Sequence, residues 1–480
     1  MNLAIVFNLL GKVILCEGAL LTLPIVTSMI YAEQSCTMSF LVTLLICGVL
    51  GGILIAIRPK QSVFHIKEGF VITALSWIVI SIIGSLPFIF TGSIKNPIDA
   101  LFETVSGFTT TGASILSDVE VLPKSVLLWR SFTHWIGGMG VLVFILMIKP
   151  LNGGSHTNLM KAESPGPQVE KLVPRLHSTA KILYGIYIVM TIMEMILLAC
   201  GGMNAFDAIT LSFGTAGTGG FGVKNTSIAD YSVYSQWIIT IFMILFGVNF
   251  GFYFLVLQKK IKRAALIEEV RWYFIVIFVA AAIIFLNIRG SYLTVEETAR
   301  HSLFQVGAII TTTGYSTVNF NLWPAVSKTI LVILMFVGAC AGSTGGGIKI
   351  SRILMLCKTV FKELHQFLHP KSVKKISMDG KVIPHEVVRS VNVYMITYLL
   401  LFTASVLLIA FDNHDLTTNF TAVAATFNNI GPGLELVGPV ENFGFFSNGA
   451  KLVLIFDMLA GRLELFPLLM LFSRETWRKF

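Results

Sequence analysis

The chain has 480 residues, 55% of them hydrophobic and only 13% charged, with a mean hydropathy of +0.79. No soluble domain of this length is so poor in charge, so the composition argues against a water-soluble enzyme and for repeated membrane spans. The net charge of +9 is spread over the segments between apolar runs, which topology explains better than nucleic-acid binding does.

In chain order, Asn2–Tyr31 and Thr37–Ile57 are two apolar runs separated by the polar stretch Ala32–Cys36. They predict a helical hairpin over residues 1–60, closed by Arg58-Pro59-Lys60. The first run lacks a charged leader and is expected to stay as a membrane span rather than a signal peptide. Six scattered cysteines with no CxxC spacing predict neither a disulfide framework nor a zinc site.

From Lys67 onward one pattern recurs: a long apolar run, a half-length helix, a loop rich in Gly, Thr and Asn, and a second long run. The first runs are Glu68–Phe90, Ala180–Cys200, Val270–Ile288 and Val387–Phe411. The second are Val126–Ile148, Trp237–Leu257, Val326–Leu356 (interrupted) and Leu452–Phe472. A half-length helix of about 12 residues rises about 18 Å, too little to cross ~30 Å of hydrocarbon, so it must be re-entrant or lie on the surface. The predicted units are residues 66–150, 176–260, 265–365 and 384–480.

Aligning the loops on one glycine exposes the repeat. The copies are Asp99–Ser114 (DALFETVSGFTTTGAS), Asp207–Gly222 (DAITLSFGTAGTGGFG), His301–Ser316 (HSLFQVGAIITTTGYS) and Thr418–Gly433 (TNFTAVAATFNNIGPG). Their glycines are Gly112, Gly220, Gly314 and Gly431, with apolar Leu101, Ile209, Leu303 and Phe420 eleven positions earlier. A unit recurring about every hundred residues predicts duplicated elements set around an axis. With the hairpin, four units of two crossings each give ten crossings and put both termini on one side. Most basic residues then share that side: Arg58 to Lys67, Lys149 to Arg175, Lys259 to Arg271, Lys349 to Arg389, and Arg474 to Lys479. The positive-inside rule makes it cytoplasmic. The glycine loops then face outward, flanked by Asp118, Glu120, Asp230, Asp412, Asp415, Glu435 and Glu441, which either form an acidic mouth that concentrates cations or are ordinary solvated loop charges.

A dehydrated cation needs several oxygens at fixed positions, and chain segments meeting at an axis can supply them as backbone carbonyls. Glycine permits the positive φ that such a strand requires. The candidate cation-coordinating residues are therefore Thr110, Thr111 and Gly112; Thr218, Gly219 and Gly220; Thr312, Thr313 and Gly314; and Asn429, Ile430 and Gly431. The alternative is small residues serving helix packing. The short helices would aim their negative dipole ends at the axis, and no carboxylate is expected in the filter regions. In the third unit the stretch from Gly338 to Gly347, with Gly342, Ser343, Thr344, Gly345 and Gly346, cannot hold a helix. It reads as a flexible barrier or as a packing kink. Arg462 lies in a span, where a charge faces a cavity or a partner; it either faces the pore or pairs with Asp457 or Glu464. The GxGxxG match at Gly217–Gly222 follows a half-helix rather than a strand. The P-loop-like run at Gly342–Lys349 has Ile348 where lysine is required. Neither supports nucleotide binding, and there is no nucleophile–base arrangement.

At these residues the chain resembles the Trk/Ktr/HKT superfamily of potassium transporters, and most closely its TrkH-type subunits of bacteria. TTTGAS, TGGFG, TTTGYS, NNIGPG, GSTGGGIK and GRLE carry the resemblance, which covers nearly the whole chain. It implies an all-α polytopic membrane protein, with an N-terminal hairpin and four pseudo-symmetric helix–pore-loop–helix repeats around one pore. It implies uptake of K⁺, and of Rb⁺ with it, and no organic cofactor on this chain. It also implies a homodimer in the bacterial inner membrane and a cytoplasmic, TrkA-like regulatory partner of Rossmann type that binds NAD(H), ATP or ADP. Gly112, Gly220, Gly314 and Gly431 match the family's filter glycines, Gly338–Gly347 its intramembrane gating loop, and Arg462 its pore arginine. Sodium-favouring plant relatives carry serine at the first of these glycines. Gly112→Ser is accordingly expected to weaken K⁺/Na⁺ discrimination in a flux assay, and an unchanged ratio would remove the filter assignment.

Overall fold

In hydrocarbon a backbone must satisfy its own hydrogen bonds, and nearly every apolar run of this chain folds as helix. The computed structural model describes residues 1–57, 66–140 and 176–478. Arg58, Lys60, Lys149, Lys161, Lys171, Arg175 and Lys479, and the end of the run expected to reach Ile148, lie outside them. The N-terminal hairpin is α1 (Leu3–Leu20) and α2 (Thr22–Ile30), which form one kinked span, packed against α3 (Gln34–Ala56). Small residues let these helices close: a methyl on Gly11 would sit 2.9 Å from the Gly51 carbonyl, and one on Gly18 would sit 2.9 Å from Cys47 Cβ.

Four groups of helices follow. The first is α4 (Ile66–Phe90), α5 (Pro97–Phe108) and α6 (Lys124–Met139). The second is α7 (Leu176–Cys200), α8 (Ala205–Gly217), α9 (Val233–Phe246) and α10 (Phe250–Leu257). A short linker helix, α11 (Ile261–Ala265), leads to α12 (Glu268–Ile288), α13 (Val295–Ile310), α14 (Ala325–Val337) and α15 (Ile350–Leu368). Last come α16 (His385–Ile409), α17 (Leu416–Phe427), α18 (Asn448–Arg462), α19 (Phe466–Phe472) and α20 (Arg474–Trp477). A two-residue hairpin, β1 (Ser377–Met378) with β2 (Lys381–Val382), precedes α16.

Among the described residues, six spans are long and apolar enough to cross a membrane: the two of the hairpin and the first helix of each group. The second helices differ from the long runs expected from the sequence. They hold 16, 14, 13 and 15 residues, or about 20–24 Å, and each stops at a backbone break. Gly140 and Gly338 take φ of 79° and 70°. The chain turns by 90° between α9 and α10, and Leu465 takes φ of 66°. Only the break in the third group was visible beforehand, through its run of glycines.

The four short helices are built alike. Each begins with a side-chain cap: Asn96 accepts from Ile98 N, Asn204 from Asp207 N, Thr294 from Glu297 N and Asp415 from Thr418 N. Each second helix packs against the short helix of its own group and against that of the next. Thus α6 lies between α5 and α8, α9 between α8 and α13, α14 between α13 and α17, and α18 between α17 and α5. The last pair closes a cycle, so the four groups surround one axis. Glycines permit the approach. A methyl on Gly137 would overlap the Phe108 carbonyl, and one on Gly461 the Phe427 carbonyl; both carbonyls belong to the residue four before an aligned glycine. Gly461→Ala is expected to cost about 1–3 kcal/mol by overpacking and to lower the thermal midpoint in detergent. Gly449→Ala on the same helix, where the methyl meets only Ser447 Oγ at 3.7 Å, should not. Equal midpoints would contradict the close contact.

Candidate functional site

Each short helix ends in the same turn. Thr110, Thr218, Thr312 and Asn429 adopt left-handed φ of 56°, 53°, 59° and 56°. Their N–H groups donate three residues back, to Gly107, Thr215, Ile309 and Thr426. The next residues, Thr111, Gly219, Thr313 and Ile430, donate five back, to Ser106, Gly214, Ala308 and Ala425, at 2.8–2.9 Å. This is the Schellman motif, which satisfies carbonyls at a helix end and ordinarily puts glycine in the left-handed position. Gly112, Gly220, Gly314 and Gly431 follow with φ of 78°, 82°, 77° and 99°. Sequence reasoning anticipated the second left-handed residue of each turn but missed the first, because threonine and asparagine gave no sign of it.

The four turns meet. A side chain on Gly112 would run into the Gly219 carbonyl oxygen, one on Gly220 into that of Thr313, and one on Gly314 into that of Ile430. A methyl on Gly431 would lie 2.8 Å from the Thr111 oxygen. Each glycine thus abuts the carbonyl that precedes the equivalent glycine of another group, and the chain of contacts returns to its start. Eight residues drawn from four distant segments form one ring of backbone oxygens and glycines. All four glycines line a cavity of about 140 Å³ on one side of it.

The other side is covered by the stretch from Gly338 to Gly347. Gly346 N donates to Thr312 Oγ1 at 2.6 Å, and a methyl on Gly346 would sit 2.6 Å from the Asn428 carbonyl. A methyl on Gly345 would sit 2.9 Å from the Thr311 carbonyl. Gly338, Gly342 and Gly347 take φ of 70°, 72° and 76°, so the loop follows a path few other residues allow. Its ends are held by one carboxylate. Glu269 Oε1 on α12 accepts from Ala341 N at 2.7 Å and from Ser351 N at 3.2 Å. Gly342 O accepts from Phe250 N at 3.0 Å, and Thr344 Oγ1 donates to Phe246 O at 3.3 Å. Ser343 Oγ donates within the loop to Cys340 O. The buried Lys349 Nζ donates to Gly345 O. Arg462 reaches the same place. Its guanidinium donates to Thr344 O at 3.0 Å and to Gly137 O and Gly138 O, buried carbonyls in the last turn of α6, at 2.5 and 2.9 Å. Glu464, two residues on, pairs with Arg352 at 2.5 Å, and Asp457 accepts from Ser405 Oγ.

With this arrangement described, likeness to known proteins can be stated. A family model for TrkH, described as a cation transport protein, matches residues 36–479. The chain belongs to the TrkH family. It is 36% identical over 488 residues to the Trk system potassium uptake protein TrkH of Escherichia coli K12, covering all of both chains. It is 32% identical over 462 residues to TrkG of the same organism, covering 95% of this chain and 94% of that protein. The crystal structure of the potassium transporter TrkH from Vibrio parahaemolyticus superposes with a TM-score of 0.90 at 32% identity, over the full length of both chains. The family is one of transporters rather than enzymes, and the chain is a multi-pass membrane protein.

One expectation about charge fails in this TrkH-family chain. The filter regions do hold a carboxylate. Glu103 on α5 is buried and pairs with Arg130 on α6 at 2.7 Å. It also accepts from Ser114 Oγ and Ile115 N, just beyond Gly112. Arg130 lies over the Phe221 ring at 4.2 Å and donates to Gly222 O, just beyond Gly220. The pair therefore braces two neighbouring turns. His134 on the same helix bonds Gly107 O through Nδ1 and accepts from Phe221 N at Nε2, which assigns the neutral tautomer. Tyr315 joins another two turns by donating to Leu211 O at 3.1 Å. Five of the seven acidic loop residues, read as a mouth or as solvated loop charges, serve as caps and braces and keep their charge. Asp415 caps α17, where the Thr418 hydroxyl holds its carboxyl below the usual range. Asp412 accepts from Ser447 at the start of α18, and Asp230 from Thr226. Asp118 and Glu120 brace Asn225, whose amide likewise lowers the Asp118 carboxyl. Of the seven, Glu441 alone lines the cavity over the ring, together with Lys224 and Arg130.

Breaking the buried pair leaves an uncompensated charge, a loss of about 3–5 kcal/mol. Arg130→Met is expected to abolish the monodisperse, detergent-stable fraction. The double replacement Glu103→Gln with Arg130→Met should recover part of it. Equal yields from all three proteins would show that the pair braces nothing.

Proposed function

We propose that this chain carries K⁺, and with it Rb⁺, into the cell through a gated, channel-like pore whose selectivity filter is the ring at Gly112, Gly220, Gly314 and Gly431. One observation carries the reading: each ring glycine abuts the preceding carbonyl of a neighbouring unit, the arrangement that lets backbone oxygens replace the hydration shell of a cation. Supporting it, two oxygens at the next level, Thr110 Oγ1 and Asn429 Oδ1, are buried without a hydrogen-bond partner among the described residues. The relatives named above are called potassium uptake proteins and a potassium transporter. The units are the hairpin at 1–60 and the pore repeats at 66–150, 176–260, 265–365 and 384–480. The loop from Gly338 to Gly347 is the gate, and Arg462 is the cationic barrier beneath the filter. The chain works as a homodimer in the bacterial inner membrane with both termini cytoplasmic. A TrkA-like cytoplasmic subunit that binds NAD(H), ATP or ADP regulates it.

One observation favours a second reading, K⁺ symport coupled to Na⁺ or H⁺. Glu17 and Glu194 are buried carboxyls inside spans, and Glu17 finds no hydrogen-bond partner among the described residues. Intramembrane carboxyls are the usual relays of coupled carriers. Single-channel currents above carrier turnover would exclude that reading, and K⁺ flux that follows an imposed proton or sodium gradient would establish it.

The test is expression in cells without K⁺ uptake, with the regulatory subunit supplied. Growth at low K⁺ and Rb⁺ influx are expected; failure of both with protein in the membrane would overturn the proposal. Deleting residues 342–347 should raise influx in the absence of activating nucleotide. So should Glu269→Ala, by at least about tenfold, because each of the two loop-anchoring bonds to a carboxylate is worth about 1.5–3 kcal/mol. Unchanged influx in both variants would make the loop a packing kink.

A further inference from the structure

Away from the ring, a groove of about 680 Å³ opens between α15, the β1–β2 hairpin and the start of α16. Its polar end is lined by Lys362, Lys374, Lys375, His385 and Arg389, with Glu363 as the one carboxylate. Lys362 and Glu363 pair with each other at 3.3 Å. Lys374, Lys375 and Arg389 form no ion pair among the described residues, although like charges gathered in one groove repel.

The other end of the groove is apolar and is formed by Val388, Val393 and Ile396. These belong to α16, whose helix is one of the six apolar spans. Val393 and Ile396 are 43% and 60% exposed, and the stripe continues along the span with Leu399 and Leu400 at 57% and 68%. A cationic pocket therefore sits at the end of a membrane-spanning helix and opens onto a lipid-facing stripe of the same helix. Basic pockets between spans at the cytoplasmic face accept anionic lipid headgroups.

We propose that this groove binds one anionic phospholipid, its phosphate held by Lys374, Lys375 and Arg389 and an acyl chain lying along Val393, Ile396 and Leu400. A cytoplasmic protein would find the charges but would have no use for the exposed stripe, which runs into the bilayer. The placement at the cytoplasmic face rests on the orientation proposed above; the juxtaposition of the two ends does not. The headgroup would bridge α16 to the segment following α15, the helix that begins at Ile350 directly after the loop under the ring.

The test uses the full chain in nanodiscs of phosphatidylcholine alone or with phosphatidylglycerol, and counts retained phosphatidylglycerol by native mass spectrometry. One tightly held phosphatidylglycerol per chain is expected. Each of Lys374→Gln, Lys375→Gln and Arg389→Gln should weaken its retention about fivefold, and Leu286→Gln, on the exposed face of another span, should not. Thermal midpoints in phosphatidylcholine alone verify that the variants fold, and the remaining single variants serve if one does not. Retention of phosphatidylglycerol unchanged in all variants would overturn the proposal. So would loss of regulatory-subunit binding with lipid retention intact, which would make the groove a protein-docking surface. K⁺ influx is read separately: failed influx with lipid retained counts against the pore and leaves the lipid site standing.

Discussion

Everything in this fold answers to one close contact, a carbonyl oxygen set against the α-carbon of a glycine from the next unit. No side chain fits between them at Gly112, Gly220 or Gly314. A backbone contact of this kind cannot be tuned by rotamer changes, so the supports have to place main chain. They do it from three directions. Second helices wedge between successive short helices, made thin by Gly137 and Gly461. The Glu103–Arg130 pair and Tyr315 tie the strands leaving the ring to their neighbours. Schellman turns end all four short helices at the same register. Threonine at the left-handed position costs more than glycine would. That strain persists because the surrounding structure over-determines it, as happens at functional sites.

The broken second helices solve a related problem. A continuous helix beside the axis would satisfy its own carbonyls. A helix that stops at mid-depth leaves its last carbonyls unpaired, and in this chain they become acceptors for charge. Gly137 O and Gly138 O at the end of α6 take the Arg462 guanidinium, and Gly247 O in the bend after α9 takes Cys340 N from the loop. Non-helical backbone at this depth is tolerated only when such partners exist. The charges Glu269, Lys349, Arg352 and Arg462 gather around this one loop, whereas Glu17 and Glu194 lie apart inside other spans.

The sequence made the repeat legible because glycine has a single physical reason to recur at four matched places. The short helices were legible from length alone. The rest was hidden for reasons that are equally physical. Thr110, Thr218, Thr312 and Asn429 carry a left-handed backbone that their side chains do not advertise. Glu103 and Arg130 stand 27 positions apart, one in a half-length helix and the other in a long apolar run, and only the fold shows that they face each other. Gly137 and Gly461 looked like generic small residues. The breaks after α9 and α18 fall at Gly247–Asn249 and Leu463–Leu465, where no glycine cluster warns of them. The acidic loop residues were visible, but their structural work was not: Asp412, Asp415 and Asp118 serve as caps and braces while keeping their charge.

The four units share a backbone, but their side chains at the left-handed position do four different things. Thr218 donates to its neighbour Gly217 O, and Thr110 finds no partner among the described residues. Asn429 bridges Thr111 Oγ1 and Met458 O. Thr312 alone accepts from the loop, through Gly346 N. Any displacement of the loop must therefore break a hydrogen bond to a residue two positions from Gly314, and must leave a buried hydroxyl without its donor. The loop and the third quarter of the ring are mechanically one piece. Asymmetry among the units is thus not residue drift on a symmetric scaffold. The loop touches two quarters of the ring unequally, hydrogen-bonded to the third through Thr312 and only packed against the fourth at the Asn428 carbonyl.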